Sequence, residues 1–423
     1  MQQAIKQASK TVADDLVGWI ADLVRIPSVT GEENAAQQYV SDLMAELGFE
    51  VTTLVPDDAT LRSHESFSDD GLAVDRPVII GHRAGTNPDG ASLILNGHID
   101  VVPPGDERLF PHGAWSGDVV DGCLWGRGAV DMKAGLLAGL ASIVVLDRLG
   151  IEPPGDIWLQ SVTGEESGGI GTLAAVIDGY RADAAVVLEP TRLAMCPVGA
   201  GSASFRLHVH GKAAHGAMRA EGVSAVTSYT VLHQAMMDLE TRRHKGWAHP
   251  AYKSGDLVAP ISVGKVWAGD WPSTVPELLV AEGRYGVLPG ESLEQARLEF
   301  EQALAEAASK EPWLAENPPQ VEWFEGQFAP AETRAGAPII DALDGHHRSA
   351  TGAAPDSHGV AYGSDLRLFT NDAGMDAVLY GPGDVAVAHT VNEHVPLDEV
   401  VTATEVVANL CATWGASPRK GQS

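Results

Sequence analysis

Two glutamates, Glu165 and Glu166, stand side by side just after the strand-like run 158–162. Adjacent carboxylates at a strand end repel one another and cost stability unless a cation or a proton holds them. The same pattern recurs along the chain. The apolar residues 93–95 run into His98 and Asp100, which alternate onto one side of an extended segment. Asp131 sits in the glycine-flexible stretch 125–135, at the mouth of an apolar helix, and the run 186–188 ends in Glu189. A late histidine, His389, completes the set. Taken singly, each of these residues reads as an ordinary core or solvated surface group. Their joint occurrence, each at the end of an apolar run, points to a bound cation. Imidazole and carboxylate together suit zinc, with cobalt and manganese as substitutes.

The strings 97–103 (GHIDVVP), 126–135 (GRGAVDMKAG), Glu165-Glu166, Leu188-Glu189-Pro190 and His389 resemble the M20 family of metallopeptidases and deacylases. That family includes acetylornithine deacetylase and succinyl-diaminopimelate desuccinylase. The likeness runs from about residue 16 to about residue 408. It implies two divalent metal ions, most simply Zn2+, with Co2+ or Mn2+ as alternatives. His98 and Glu189 would hold one ion, Glu166 and His389 the other, and Asp131 would bridge them. Glu165 would be the general base, and Asp100 would support His98. Consecutive side chains of an extended segment point apart, which agrees with different duties for Glu165 and Glu166. In the segment 205–217, the resemblance makes His215 a stabiliser of the developing oxyanion, reaching the site of the other subunit of a homodimer. His208 and His210 share a parity on an amphipathic strand and read as half-exposed sheet residues.

A chain of 423 residues, 44% hydrophobic and 20% charged, is long enough for two cores. Strand and helix patterns alternate to about residue 198, which argues for an α/β fold with a mostly parallel, doubly wound sheet. From residue 199 the pattern becomes strand, helix (224–240), two strands and helix (292–309), the order of a small α+β sandwich. The expected organisation is a catalytic part over 1–198, an inserted lid and dimerisation domain over 199–315, and the rest of the catalytic domain over 316–423. The polar stretch 56–75 reads as a surface loop near the mouth of the site.

With 57 acidic against 28 basic residues, the net charge is -29. Nucleic acid and anionic membrane are therefore poor partners. No run approaches the roughly 20 apolar residues of a membrane span. Val12, Leu16, Trp19, Ile20, Leu23 and Val24 recur at helical spacing, so the N-terminal stretch reads as an amphipathic core helix, interrupted by Asp14, Asp15 and Asp22 as no signal peptide would be. Cys123, Cys196 and Cys411 form neither a disulfide framework nor a CxxC site, which points to a reducing cytoplasm.

Four positions bear on a small-molecule substrate with a carboxylate or amide. Arg284 matches an arginine that in relatives faces a substrate carboxylate, a role suited to its bidentate fork, although pairing with a neighbouring acid is the alternative. Ser273, or its neighbour Thr274, stands where many relatives carry a substrate-holding asparagine. Gly363 and Gly383 lie in stretches that line the pocket in relatives, where backbone amides can receive a carboxylate. Trp267 and Trp271 read either as a roof over an apolar group or as core. The expected activity is two-metal hydrolysis of the amide of an N-acylated amino acid or small amine, nearest the acetylornithine deacetylase-like branch. The alternatives are a dipeptidase or carboxypeptidase with the same site, or a formamide hydrolase of a heterocyclic amine. A metal-holding binding protein without turnover is the alternative of another class.

Overall fold

In the computed structural model, which describes residues 1–416, the apolar run Leu93–His98 is buried at every position. Burial on both faces is what a parallel sheet covered by helices requires. This strand pairs in parallel with Ile157–Val162 on one side and Ala184–Val187 on the other, and Asp376–Leu379 extends the parallel block. Antiparallel strands flank that block. Val78–Arg83 and Glu50–Leu54 lie at one margin, and Met195–Gly199 with Ala331–Glu332 at the other. Ser357–Val360 pairs in parallel with Met195–Gly199. The sheet is thus mixed, with the parallel strands at its centre.

Parallel neighbours need helical crossovers. The helices Ala134–Leu149 and Ile170–Ile177 lie within the first two crossovers of the block. Ala134–Leu149 packs against both Gln2–Arg25 and Leu397–Cys411. In the first helix, Val12, Leu16, Ile20, Leu23 and Val24 are buried, as their spacing predicts. The segment Ala129–Leu149 does have the length and hydropathy of a membrane span, contrary to the sequence expectation, but 94% of its apolar window is buried inside the protein. Sheet and helices surround it, so it is hydrophobic on all sides as a core helix.

A second sheet of four antiparallel strands runs in the order Ile261–Ala268, Leu278–Val287, Gly201–His210, Gln320–Trp323. Along Gly201–His210, Phe205, Leu207 and Val209 are buried among residues of the helices Ala225–His244 and Leu293–Ala308, including Leu232, Met236 and Phe300. His208 is half-buried and His210 exposed on the opposite parity, as expected. The fourth strand lies beyond residue 315, where the sequence placed the return to the first domain. The short helix Pro312–Glu316 leads into this strand and not back to the large sheet.

The stretch 56–75 is not a free surface loop. It carries the short helix Asp58–Arg62 and buries Leu61, Ser68 and Val74. Asp70 Oδ2 accepts from Arg76 Nη2 at 2.6 Å and from Ser167 Oγ at 2.7 Å. Ser68 Oγ donates to the Ser167 carbonyl and accepts from Gln327 N, both at 3.2 Å. This stretch therefore braces the turn that carries Glu165 and Glu166.

Candidate metal centre

The strands of the parallel block end at one edge of the sheet, and their last residues bring the site together. His98 closes its strand, and its register partner Val162 leads three residues on to Glu165. Glu189 follows Val187 by two residues. Asp131 comes from the turn before Ala134–Leu149. That helix approaches very closely here: a Cβ on Gly135 would lie 1.9 Å from the carbonyl oxygen of Leu188.

Ligand atoms of His98, Asp131 and Glu166 lie within 4.8 Å of one another, and so do those of His98, Glu165 and Glu189. Asp131 stands between the two histidines. Its Oδ1 is 3.0 Å from His98 Nε2 and its Oδ2 is 3.4 Å from His389 Nε2. His389 Nε2 also lies 3.0 Å from Glu166 Oε1. His389 itself has φ +59°, in the left-handed region that non-glycine residues rarely occupy. The six residues proposed from the sequence as ligands or base are therefore gathered in one place.

Asp100 holds a different position from the expected one. The Nδ1 of His98 meets the backbone carbonyl of Asp100 at 2.8 Å, while the nearest carboxylate oxygen is 3.7 Å away. The carboxylate instead accepts Glu165 N on Oδ1 and Glu166 N on Oδ2, each at 3.1 Å, and Thr30 Oγ1 at 3.1 Å. Asp100 thus fixes the tautomer of His98 through its main chain and the glutamate turn through its side chain.

Charge crowds this centre. Burial pushes the Glu165 carboxyl well above its ordinary range; His98 opposes the rise, and Glu189, Asp365 and Glu166 add to it. Glu189 is likewise raised, by burial and then by Asp131. His389 is pushed up to about 11 against the effect of burial, by its contacts with Asp131 and Glu166. So many carboxylates around two imidazoles form an anionic cage that a divalent cation would neutralise. The nitrogen and oxygen donors present suit such an ion.

Around the cage, Asp365 Oδ2 accepts from Thr172 Oγ1 at 2.5 Å, and Arg367 Nη2 donates to the Gly168 carbonyl at 2.7 Å. Glu393 is buried, and its Oε1 accepts Asp131 N at 3.4 Å. The sequence assigns no role to Glu393. Its only cue there is an acidic residue four positions after His389, between Asn392 and His394.

The substrate-facing expectations fare unevenly. The Arg284 guanidinium donates to the Ala361 carbonyl at 2.9 Å, and among the described residues no carboxylate forms an ion pair with it. Burial lowers its pKa to about 10. The amide of Gly383 is already taken by Glu399 Oε2 at 2.7 Å, so it is not free to receive a substrate carboxylate. Gly363 is held by packing, since a Cβ there would lie 2.4 Å from Phe328 Cβ. His215 and Ser273 sit together on the smaller domain, where His215 pairs with Thr274 and the Ser273 carbonyl accepts Gly216 N at 2.6 Å. Both are exposed, and among the described residues no hydrogen bond or ion pair joins either to the carboxylate cage. Trp267 and Trp271 are 52% and 70% exposed, which excludes the core reading.

Known proteins share this architecture. The chain is 29% identical over 359 residues to N-formyl-4-amino-5-aminomethyl-2-methylpyrimidine deformylase of Bacillus subtilis (strain 168), spanning 80% of this chain and 83% of the relative. It is 27% identical to acetylornithine deacetylase of Myxococcus xanthus, spanning 82% and 86%. The fold matches that of the dipeptidase Dug1p from Saccharomyces cerevisiae with a TM-score of 0.78 at 15% identity, covering 99% of each chain. The model of peptidase family M20/M25/M40 matches residues 94–413, and the chain belongs to that family of hydrolases.

Proposed function

We propose that this protein is a two-metal amidohydrolase that removes an acyl group from a small N-acylated amine. The observation that carries the reading is the cage of His98, Asp131, Glu165, Glu166, Glu189 and His389, with Asp131 turned toward both imidazoles. His98 and Glu189 would hold one ion, Glu166 and His389 the second, with Asp131 shared. Zinc fits this donor set, and cobalt or manganese would substitute. When bound, such ions polarise the scissile carbonyl and lower the pKa of water.

The chain's own residues do the rest. Glu165, buried beside His98 and Glu189, would take a proton from the attacking water as its oxygen adds to the amide carbon. It would then pass that proton to the amine nitrogen as the C–N bond breaks, leaving a carboxylate and an amine. Asp100 holds the Glu165 backbone in place for this transfer. Arg284, which forms no ion pair with a carboxylate among the described residues, would receive a carboxylate or other anionic group of the substrate. The smaller domain would act as lid and dimerisation unit, and the exposed His215 would complete the site of the partner in a cytoplasmic homodimer.

Among acyl groups, formyl has specific support, because a relative matched across 80% of this chain is named as a deformylase of an aminopyrimidine. The test is a panel of N-formyl, N-acetyl and N-succinyl amines with simple dipeptides, using metal-loaded and chelated protein. Chelator-sensitive release from acylated amines supports the reading. Turnover confined to dipeptides moves the chain to the peptidase branch with the same residues.

A further inference from the structure

Glu393 gathers hydrogen bonds from the segment that bears Asp131. It is fully buried, and its carboxylate pairs with Arg127 through Oε2. Its Oε1 accepts the backbone N–H groups of Gly128 at 2.8 Å, Val130 at 3.3 Å and Asp131 at 3.4 Å. Its carbonyl accepts Gly126 N at 3.2 Å. One residue thus gathers five donors from the stretch 126–131, at the end of which stands the carboxylate shared between the two histidines. Four residues before Glu393 in the chain lies His389, and directly after it the strand His394–Pro396 pairs with Cys123–Trp125. Asp131 and His389 come from segments far apart in sequence, and Glu393 joins the two.

We propose that Glu393 is a positioning residue for the metal centre, which sets the spacing between Asp131 and His389 by holding the main chain of one segment against the other. The proposal rests on the reading of the cage as a metal site. A carboxylate suits the task because one acceptor oxygen can serve several converging N–H groups while the other neutralises a buried guanidinium. An amide in its place would set an NH2 group against donors on one side or the other.

The experiment compares the full-length wild type with Glu393→Gln and Glu393→Asp, measuring Co2+ affinity by calorimetry and the visible absorption of the Co2+-loaded proteins. Glu393→Asp keeps the charge for Arg127 but withdraws the second oxygen from the amides, so it reports even where Glu393→Gln does not fold. The expected result is a loss of Co2+ affinity of about 10–100-fold, the size of effect seen when groups that orient ligands are removed. A changed absorption band should accompany it, which a merely structural defect in a folded protein would not produce. A folded variant with wild-type affinity and an unchanged spectrum overturns the proposal. A wild type that binds no Co2+ overturns the metal reading itself, and the proposal with it.

Discussion

The side chain of Asp100 accepts the backbone N–H of Glu165 at 3.1 Å, and with its other oxygen that of Glu166 at the same distance. Two strand ends are thereby locked together, since Asp100 follows Leu93–His98 and the glutamates follow Ile157–Val162. An oxygen-for-oxygen match of this kind predicts that Asp100→Asn leaves one of the two amides facing an NH2 group. Stability in urea should fall by about 1–3 kcal/mol, the cost of a buried unsatisfied donor. Turnover should fall with it, and an unchanged unfolding midpoint would contradict this role.

Glu165→Gln separates base from ligand. If Glu165 moves protons, the variant keeps its metal content by elemental analysis while kcat drops about 10²–10⁴-fold. Loss of metal along with activity would instead make Glu165 a ligand, which its nearness to His98 and Glu189 allows.

Gly135→Ala tests how closely the helix Ala134–Leu149 must approach the strand end before Glu189. A Cβ 1.9 Å from the Leu188 carbonyl cannot be accommodated without backbone movement. Overpacking of this kind costs about 1–3 kcal/mol and occasionally more. The expected outcome is a lowered melting temperature together with weakened metal binding, because the displaced carbonyl precedes a proposed ligand.

Stability should also depend on pH through the helix Pro338–Thr351. Burial lowers the pKa of His347, whose Nδ1 lies 2.8 Å from the Tyr380 hydroxyl, and burial likewise lowers that of His346. A depressed folded pKa means that the unfolded chain binds more protons below about 6.5, the ordinary histidine value. The stability from these groups is therefore present above pH ~6.5 and is lost as pH falls through their folded values. His347→Gln, which can still meet the Tyr380 hydroxyl, should flatten the decline between neutral and mildly acidic pH. A decline identical to that of the wild type would refute the assignment.

That the proposed ligands would gather in one place was legible in the sequence because each terminates an apolar run or opens an apolar helix, and such runs converge at one edge of a parallel block. The second sheet was legible from the change of pattern after residue 199, and its fourth strand fell outside the expected 199–315 because Gln320–Trp323 is short and half-exposed. What could not be read were relationships decided by tertiary approach. His98 and Asp100 share a side of the strand, yet the imidazole reaches the carbonyl and leaves the carboxylate to the glutamate turn. Asp70 and Ser68 lie in a polar stretch that looks solvated, but they brace Ser167 and Gln327. The availability of Gly383 depends on Glu399, whose side chain takes its amide. Nothing local to Glu393 announces that it gathers the Asp131 segment.

The two-metal hydrolysis is tested first by the turnover of matched N-formyl and N-acetyl amines by protein stripped of metal and then reloaded with Zn2+. The stripped protein should show no turnover, with recovery on reloading and no recovery in Glu165→Gln carrying the same metal. Turnover that persists without metal, or that Glu165→Gln retains in full, would contradict it.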